Sequence, residues 1–341
     1  MPLYATGFNP WGQLQFRVSS SDSELDEPDD LSSFTCVLAD EGIRRVRASL
    51  SYTQVDLENG ETRIAGMVPR NHQVLRAADQ QTYATFAEAS NGTVVIHDGQ
   101  DALRQYPSIS DLISNATPSS IFPNYPATTQ IVAYATGFAA LDPSTGRVWT
   151  WGDERYSACL GRDVNHESPA TAPHLLTDLL DLPTGLITKL AASPSGYILA
   201  ALTAGGDLYC WGDAARSGAA LHSSLHLSYN DGAPVPVVIS PAEHDDNNNN
   251  DNNNDTGIEK DVVDVAVGDA HLVALTADGE VYVLGDNSSG QLGLPGRAAA
   301  REWMRVELDG VLESGKKVTS VVAGPRSSLL VVERRIQDVS E

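Results

Sequence analysis

Two histidines stand four residues apart, His222 and His226, the spacing that sets two metal ligands on one helical face. A zinc protease would place a glutamate after the first of them, but Ser223 stands there, so the pair is expected in a solvated loop. The Asn/Asp run could imitate a calcium loop beginning at Asp251. Its sixth position is then Thr256 instead of glycine and its twelfth Val262 instead of glutamate, so both diagnostic places fail. There is no nucleophile elbow, phosphate-binding glycine loop, dinucleotide fingerprint or Cys/His zinc pattern. Carboxylates are plentiful, yet no spacing singles out an acid/base pair. Cys36, Cys159 and Cys210 are odd in number, far apart and outside any CxxC, which argues for a reducing compartment and against a disulfide framework. No catalytic residue, cofactor or metal ligand is expected, and the chain reads as a non-enzyme.

The whole composition points the same way. The 341 residues suffice for a sizeable core, and 41% are hydrophobic. With 22 basic and 45 acidic residues the formal net charge is −23. Ten of those acids lie in two stretches, Ser21 to Asp30 and Asp245 to Asp255, and −13 remains without them. Such a chain repels a phosphate backbone, so direct nucleic-acid binding is not expected. No apolar run is long enough for a membrane helix, and MPLYATGFNPWGQLQF lacks the basic and apolar regions of a secretory signal. The sequons at Asn91, Asn115, Asn254 and Asn287 therefore read as turn chemistry. A nuclear or cytoplasmic location is expected, although EGIRRVR and ESGKK are too short to act as nuclear signals.

The elements that must carry any function repeat. Val265 to Asp286, VAVGDAHLVALTADGEVYVLGD, has counterparts at Leu190 to Asp213 and Tyr134 to Asp153. Fainter copies run from Arg76 to Gly99 and Val46 to Gly66. Each joins two β-rich runs through a turn ending in glycine: Gly60, Gly92, Gly146, Gly206 and Gly279. Asn59-Gly60, Asn91-Gly92, Gly205-Gly206 and Asp278-Gly279 suit type I′ hairpins, whereas Thr145-Gly146 suits a different turn. Gly7, Gly66, Gly99, Gly152, Gly212 and Gly285 then stand where each unit closes, as structural blade glycines.

The ends complete one another. Val318 to Val332 looks like the first half of a unit with no return strand. Gly7 to Leu14, GFNPWGQL, repeats Gly285 to Leu292, GDNSSGQL, at Gly, Asn, Gly, Gln and Leu. A closed all-β ring follows, a β-propeller whose two termini share one blade, because closure removes the exposed sheet edge.

The run from Val265 to Leu294 resembles the repeat of the regulator-of-chromosome-condensation family nearly throughout. The units closing at Trp151-Gly152 and Trp211-Gly212 match it in their strands. The resemblance implies seven blades, against six recognisable ones whose turn glycines are spaced by 32, 54, 60 and 73 residues. A seventh could hide in Asp101 to Thr129, or the ring could be irregular. The layout is most similar to a small, chromatin-linked member of the family, on GFNPWGQL and on Ile43 to Gly66. That closer likeness implies a JmjC-domain oxygenase as partner. The founding member's activity implies the alternative, guanine-nucleotide exchange on a small GTPase.

One propeller domain, monomeric on its own, is thus expected over 1–341. Three segments interrupt it: an acidic loop at 19–30, a Pro-rich insert at 105–129 with a helical turn near Ser108 to Ala116, and a disordered Asn/Asp-rich insert at 229–260. Trp151 and Trp211 are expected to pack between blades. Trp11 and Trp303 stand in turn or insert contexts; they are the candidate partner contacts if exposed, with partial burial the favoured alternative. The function expected is that of a protein-interaction scaffold or regulatory subunit.

Overall fold

The computed structural model of the chain describes residues 1–16, 27–39, 42–78, 86–227, 232–240, 259–313 and 315–334. Each of the five glycine turns joins two antiparallel strands. Among the described residues the strands form six small sheets, the blades of a β-propeller. Strands β1 (Leu3–Gly7) and β2 (Leu31–Leu38) belong to the closing blade. Blade one holds β3 (Ile43–Ala48), β4 (Tyr52–Leu57) and β5 (Thr62–Gly66), followed by helix α1 (Arg70–Ala78). Blade two holds β6 (Ala87–Glu88), β7 (Val94–His97), β8 (Ala102–Tyr106), helix α2 (Ile109–Ile113) and β9 (Ser120–Pro123). Blade three holds β10 (Gln130–Tyr134), β11 (Gly137–Asp142), β12 (Arg147–Gly152), helix α3 (Ser157–Leu160) and β13 (His174–Leu175). Blade four holds β14 (Ile187–Ala192), β15 (Ile198–Thr203), β16 (Leu208–Gly212), helix α4 (Ala219–Leu225) and β17 (Val235–Val237). Blade five holds β18 (Val262–Val267), β19 (His271–Thr276), β20 (Val281–Asp286) and β21 (Ala299–Arg305). The chain returns to the closing blade with β22 (Lys316–Gly324) and β23 (Ser327–Arg334).

The closing sheet runs β2-β1-β23-β22, so each terminus supplies two strands, as the split repeat predicts. Hydrogen bonding across β1 and β23 satisfies backbone groups that would otherwise form exposed edges.

The turn chemistry differs from the type I′ expectation. Gly60, Gly92, Gly206 and Gly279 have positive φ, but Asn59, Asn91, Gly205 and Asp278 do not. Gly60 N–H donates to the Leu57 carbonyl at 3.1 Å and Leu57 N–H to the Glu61 carbonyl at 2.8 Å. That is a type I turn closed by a glycine bulge, and the same pair of bonds recurs around Gly92, Gly206 and Gly279. The Asn59 Oδ1 accepts from Glu61 N–H at 2.9 Å, and such a forward side-chain bond holds the first position in an ordinary turn. Gly146 sits in another turn, as Thr145 foreshadows: its N–H reaches back to the Asp142 carbonyl at 2.8 Å.

Blade two corrects the assigned register. Its innermost strand is β6, so Gly92 joins the first two strands. Gly99, expected to close the blade, lies in the turn between β7 and β8. A hairpin signal reports two adjacent strands but not their place in the blade. The candidate seventh blade at Asp101 to Thr129 is instead the outer half of blade two, β8 and β9, joined through α2. Ser108 caps α2, accepting from Asp111 N–H at 3.2 Å, where a helical turn is expected. The Pro-rich stretch thus supplies an outer strand of the blade. Residues 19–26 of the acidic loop, and 229–231 and 241–258 of the Asn/Asp-rich insert, lie outside the described residues, as does the start of the calcium-like run at Asp251.

Five of the six seams between blades are apolar. Leu329 and Val331 meet Val55 and Leu57 between the closing blade and blade one. Val95 and Leu103 meet Phe138 and Trp151 between blades two and three. Leu141 meets Leu199 and Trp211 at the next seam, Ile198 and Leu202 meet Leu272 and Tyr282 at the one after, and Val273 and Val283 meet Leu330 and Val332 at the fifth. Area removed from water along such clusters stabilises the ring by roughly 25 cal/mol per Å2. The seam between blades one and two is different. Blade two's face there is covered by Leu75 of α1 and Ile109 and Leu112 of α2, and no apolar cluster of the described residues crosses to blade one.

Candidate interaction site: the latch loops and the central channel

The two Gly-Gln-Leu loops have one geometry. Asn9 Oδ1 accepts from Leu14 N–H at 2.9 Å, and Asn287 Oδ1 accepts from Leu292 N–H at 2.8 Å. Gln13 Oε1 accepts from Trp11 N–H at 3.0 Å, and Gln291 Oε1 from Ser289 N–H at 2.9 Å. Leu14 and Leu292 are buried beneath them. Each loop also grips the following blade. Gln13 Nε2 donates to the Leu50 carbonyl of blade one at 3.0 Å, and the Gln291 carbonyl accepts from Ser328 Oγ of the closing blade at 2.6 Å. The acidic stretch is pinned here at its end, where Asn9 N–H donates to Asp30 Oδ1 at 2.8 Å.

Trp11 rides on top of its latch and is 49% exposed. Trp303, the other candidate contact, is only 7% exposed and packs in the core between blades four and five, so it is not available to a partner. Trp151 and Trp211 are buried at blade seams. Trp151 Nε1–H donates to Gln105 Oε1 at 2.9 Å and Trp211 Nε1–H to the Cys159 carbonyl at 3.1 Å, which removes the cost of hiding an indole N–H. Of the blade-closing glycines, Gly7, Gly66, Gly212 and Gly285 have positive φ, and at Gly152 a Cβ would stand 2.6 Å from the Thr136 carbonyl oxygen. His222 is on α4 and His226 lies past its end at φ 48°, both exposed. Among the described residues no group of three or more His, Cys, Asp or Glu is placed to hold a metal. Burial pushes the Cys159 and Cys210 thiols up to about 12, so neither is a poised nucleophile, while Cys36 is exposed.

The innermost strands β3, β6, β10, β14, β18 and β22 surround a channel of about 600 Å3. Sequence reading missed this channel, because inward position belongs to the ring and not to any one repeat. Its wall is tied circumferentially by polar groups. Gln130 bonds both backbone groups of Leu190, at 2.9 and 3.1 Å. Lys189 pairs with Asp264, whose other oxygen accepts from Ser320 Oγ at 2.7 Å and Val321 N–H at 2.9 Å, so one carboxylate joins three blades. At the blade one–two seam, His72 of α1 contacts Tyr52 Oη at 3.2 Å and Glu88 Oε2 at 2.7 Å. Arg47 lies 4.9 Å over the Phe86 ring.

This architecture is that of a β-propeller built from short degenerate repeats with one shared closing blade. The pattern described as "Regulator of chromosome condensation (RCC1) repeat" matches residues 262–291, the unit of blade five. The chain thus carries an RCC1-type repeat in blade five of its propeller. It is 33% identical over 204 residues to the human E3 ubiquitin-protein ligase HERC2, covering 59% of this chain and 4% of that protein. It is also 33% identical over 184 residues to the mouse protein of the same name, covering 53% and 3%. The chain therefore spans a small part of the curated relatives it matches. In fold it is similar to Prp20p of Saccharomyces cerevisiae, with a TM-score of 0.62 at 13% identity over 99% of this chain and 92% of that one. It is likewise similar to human WBSCR16, with a TM-score of 0.54 at 13% identity over 98% and 99%.

Proposed function

We propose that this protein is a non-enzymatic interaction scaffold or regulatory subunit that binds a protein partner through loops of its closing blade. The observation that carries this reading is Trp11, a large aromatic held half-exposed on a loop whose backbone is fixed by Gln13 and Asn9. Loops on a rigid scaffold are favoured recognition sites, and tryptophan is a favoured anchor because it covers much apolar area with few torsions to freeze. The resemblance to the chromatin-linked layout supports a JmjC-domain oxygenase as the partner, with a chromatin-regulatory role in the nucleus or cytoplasm.

A second reading is guanine-nucleotide exchange on a small GTPase. It is favoured by the fold shared with Prp20p, whose structure was described together with its binding to Gsp1p and histones. Fold alone does not fix function, so the oxygenase reading is preferred. Affinity purification of the tagged protein from its own cells, with and without EDTA, separates the two. A JmjC-domain protein recovered stoichiometrically in both conditions supports the first. A small GTPase enriched only when nucleotide and magnesium are stripped replaces it with the second.

A further inference from the structure

The channel carries charge of the sign opposite to the chain as a whole. Its basic groups are Arg45 and Arg47 of β3, His72 of α1 and Lys189 of β14. Lys189 is paired with Asp264 and His72 faces Glu88. Arg47 caps Phe86. Arg45 has no ion pair among the described residues, and its cross-strand neighbour Asp56 is engaged by Gln54 Nε2 at 2.8 Å and Thr62 Oγ1 at 2.9 Å.

Arg45 and Arg47 are two apart on one strand, so their side chains leave the same face. That face looks into the seam that no apolar cluster bridges. Arg45 is open to lumenal water, yet the surrounding walls and then the adjacent Arg47 hold its guanidinium below the usual arginine range. Two like charges crowded together inside a lined channel raise the local affinity for a counter-charge.

We propose that the lumenal end of the blade one–two seam is a binding site for an oxyanion, a phosphate or carboxylate group, with Arg45 as its principal ligand and Arg47 beside it. Planar guanidinium forks match the two-oxygen edge of either group and bind it by paired charge-assisted hydrogen bonds. A site recessed in a channel also screens less than one on the outer surface. The oxyanion could arrive free in solution or carried on a peptide of a partner. This inference does not depend on the scaffold reading, since a small anion tests it without any partner.

The full chain is titrated calorimetrically with inorganic phosphate at fixed ionic strength, and separately with an acidic glutamate-rich peptide and a phosphoserine peptide. Saturable binding that Arg45→Gln weakens at least tenfold, and that Arg44→Gln leaves within twofold, is the expected result. Arg44 is the proper control because it is exposed at the β3 bulge and does not line the channel. Phosphate binding as tightly as either peptide assigns the site to a free anion; a peptide binding tenfold more tightly, and competing with phosphate, assigns it to a partner's side chain. Absence of saturable binding by all three probes, or equal binding by Arg45→Gln, overturns the proposal. Thermal unfolding in chloride alone checks that Arg45→Gln is folded, and its midpoint is expected to match or exceed that of the parent, because the substitution relieves crowding with Arg47.

Discussion

Leu3 lies directly opposite Val331 on adjacent antiparallel strands, joining the first strand of the chain to its last in one sheet. Both side chains are buried in the same cluster with Val55 and Leu57 of blade one. Closure of the ring is therefore a packing event as well as a hydrogen-bonding one. Leu3→Ala is expected to destabilise the whole protein by about 2–5 kcal/mol, the range for truncating a buried leucine. Urea unfolding monitored by tryptophan fluorescence measures it. A loss under about 1 kcal/mol would mean that the terminal blade frays independently of the ring.

The latch loops give a paired test. Asn9→Ala and Asn287→Ala each remove the acceptor for a buried backbone N–H, at Leu14 and Leu292 respectively. Each is expected to cost about 1–3 kcal/mol, since the orphaned N–H loses its only compensation for burial. If one is costly and the other neutral, the two loops do not share the role that their geometry indicates.

Gly285 and Gly279 separate two reasons for glycine. At Gly285, φ is +117° and a Cβ would stand 2.3 Å from the Ala270 carbonyl oxygen. At Gly279, φ is +88° and nothing lies within 4 Å. Gly279→Ala is expected to cost only the backbone term, about 1–2 kcal/mol. Gly285→Ala adds a backbone clash and is expected to exceed it by 2 kcal/mol or more, on the scale of the severe single substitutions. Equal losses in chemical denaturation would show that the neighbouring strand yields freely.

His271 is fully buried, with the Ser327 backbone as a polar group set against its ring. Burial lowers its pKa from the ordinary 6.5 to about 4. The unfolded chain consequently takes up a proton between pH 6.5 and 4 while the folded chain does not. The resulting loss of stability is absent above pH 6.5 and grows as pH falls through that window, to about 3 kcal/mol near pH 4. The pH dependence of the urea midpoint between 7.5 and 5 should be shallower in His271→Leu than in the parent. Parallel slopes would remove His271 from the account.

Trp11 and Trp303 should behave oppositely. Trp11→Ala is expected to change stability by no more than about 0.5 kcal/mol while abolishing recovery of the partner in pull-downs. Trp303→Ala opens a cavity between blades four and five and is expected to cost about 3–5 kcal/mol. A Trp11→Ala protein that retains its partner places the contact elsewhere on the ring.

The sequence by itself determined the repeat, the hairpin positions and the shared closing blade. These rest on local chemistry: alternating strands, glycine at positive φ, and the Gly-Asn-Gly-Gln-Leu spacing that returns at both ends. It also separated Trp151 and Trp211 from Trp11 by their place before closing glycines. Only the tertiary structure decided the strand order in blade two, because β6–β7 and β7–β8 are both legitimate hairpins and the ring selects which strand faces inward. It decided that Asp101 to Thr129 is half a blade, since β9 gains its meaning from pairing with β8. It placed Trp303 in the core by docking β21 beside β20. It also assembled the channel, where Arg45, His72, Glu88, Lys189 and Asp264 converge from separate blades and a connecting helix. Local sequence carries turn and strand preferences, but convergence across a ring depends on where the chain closes.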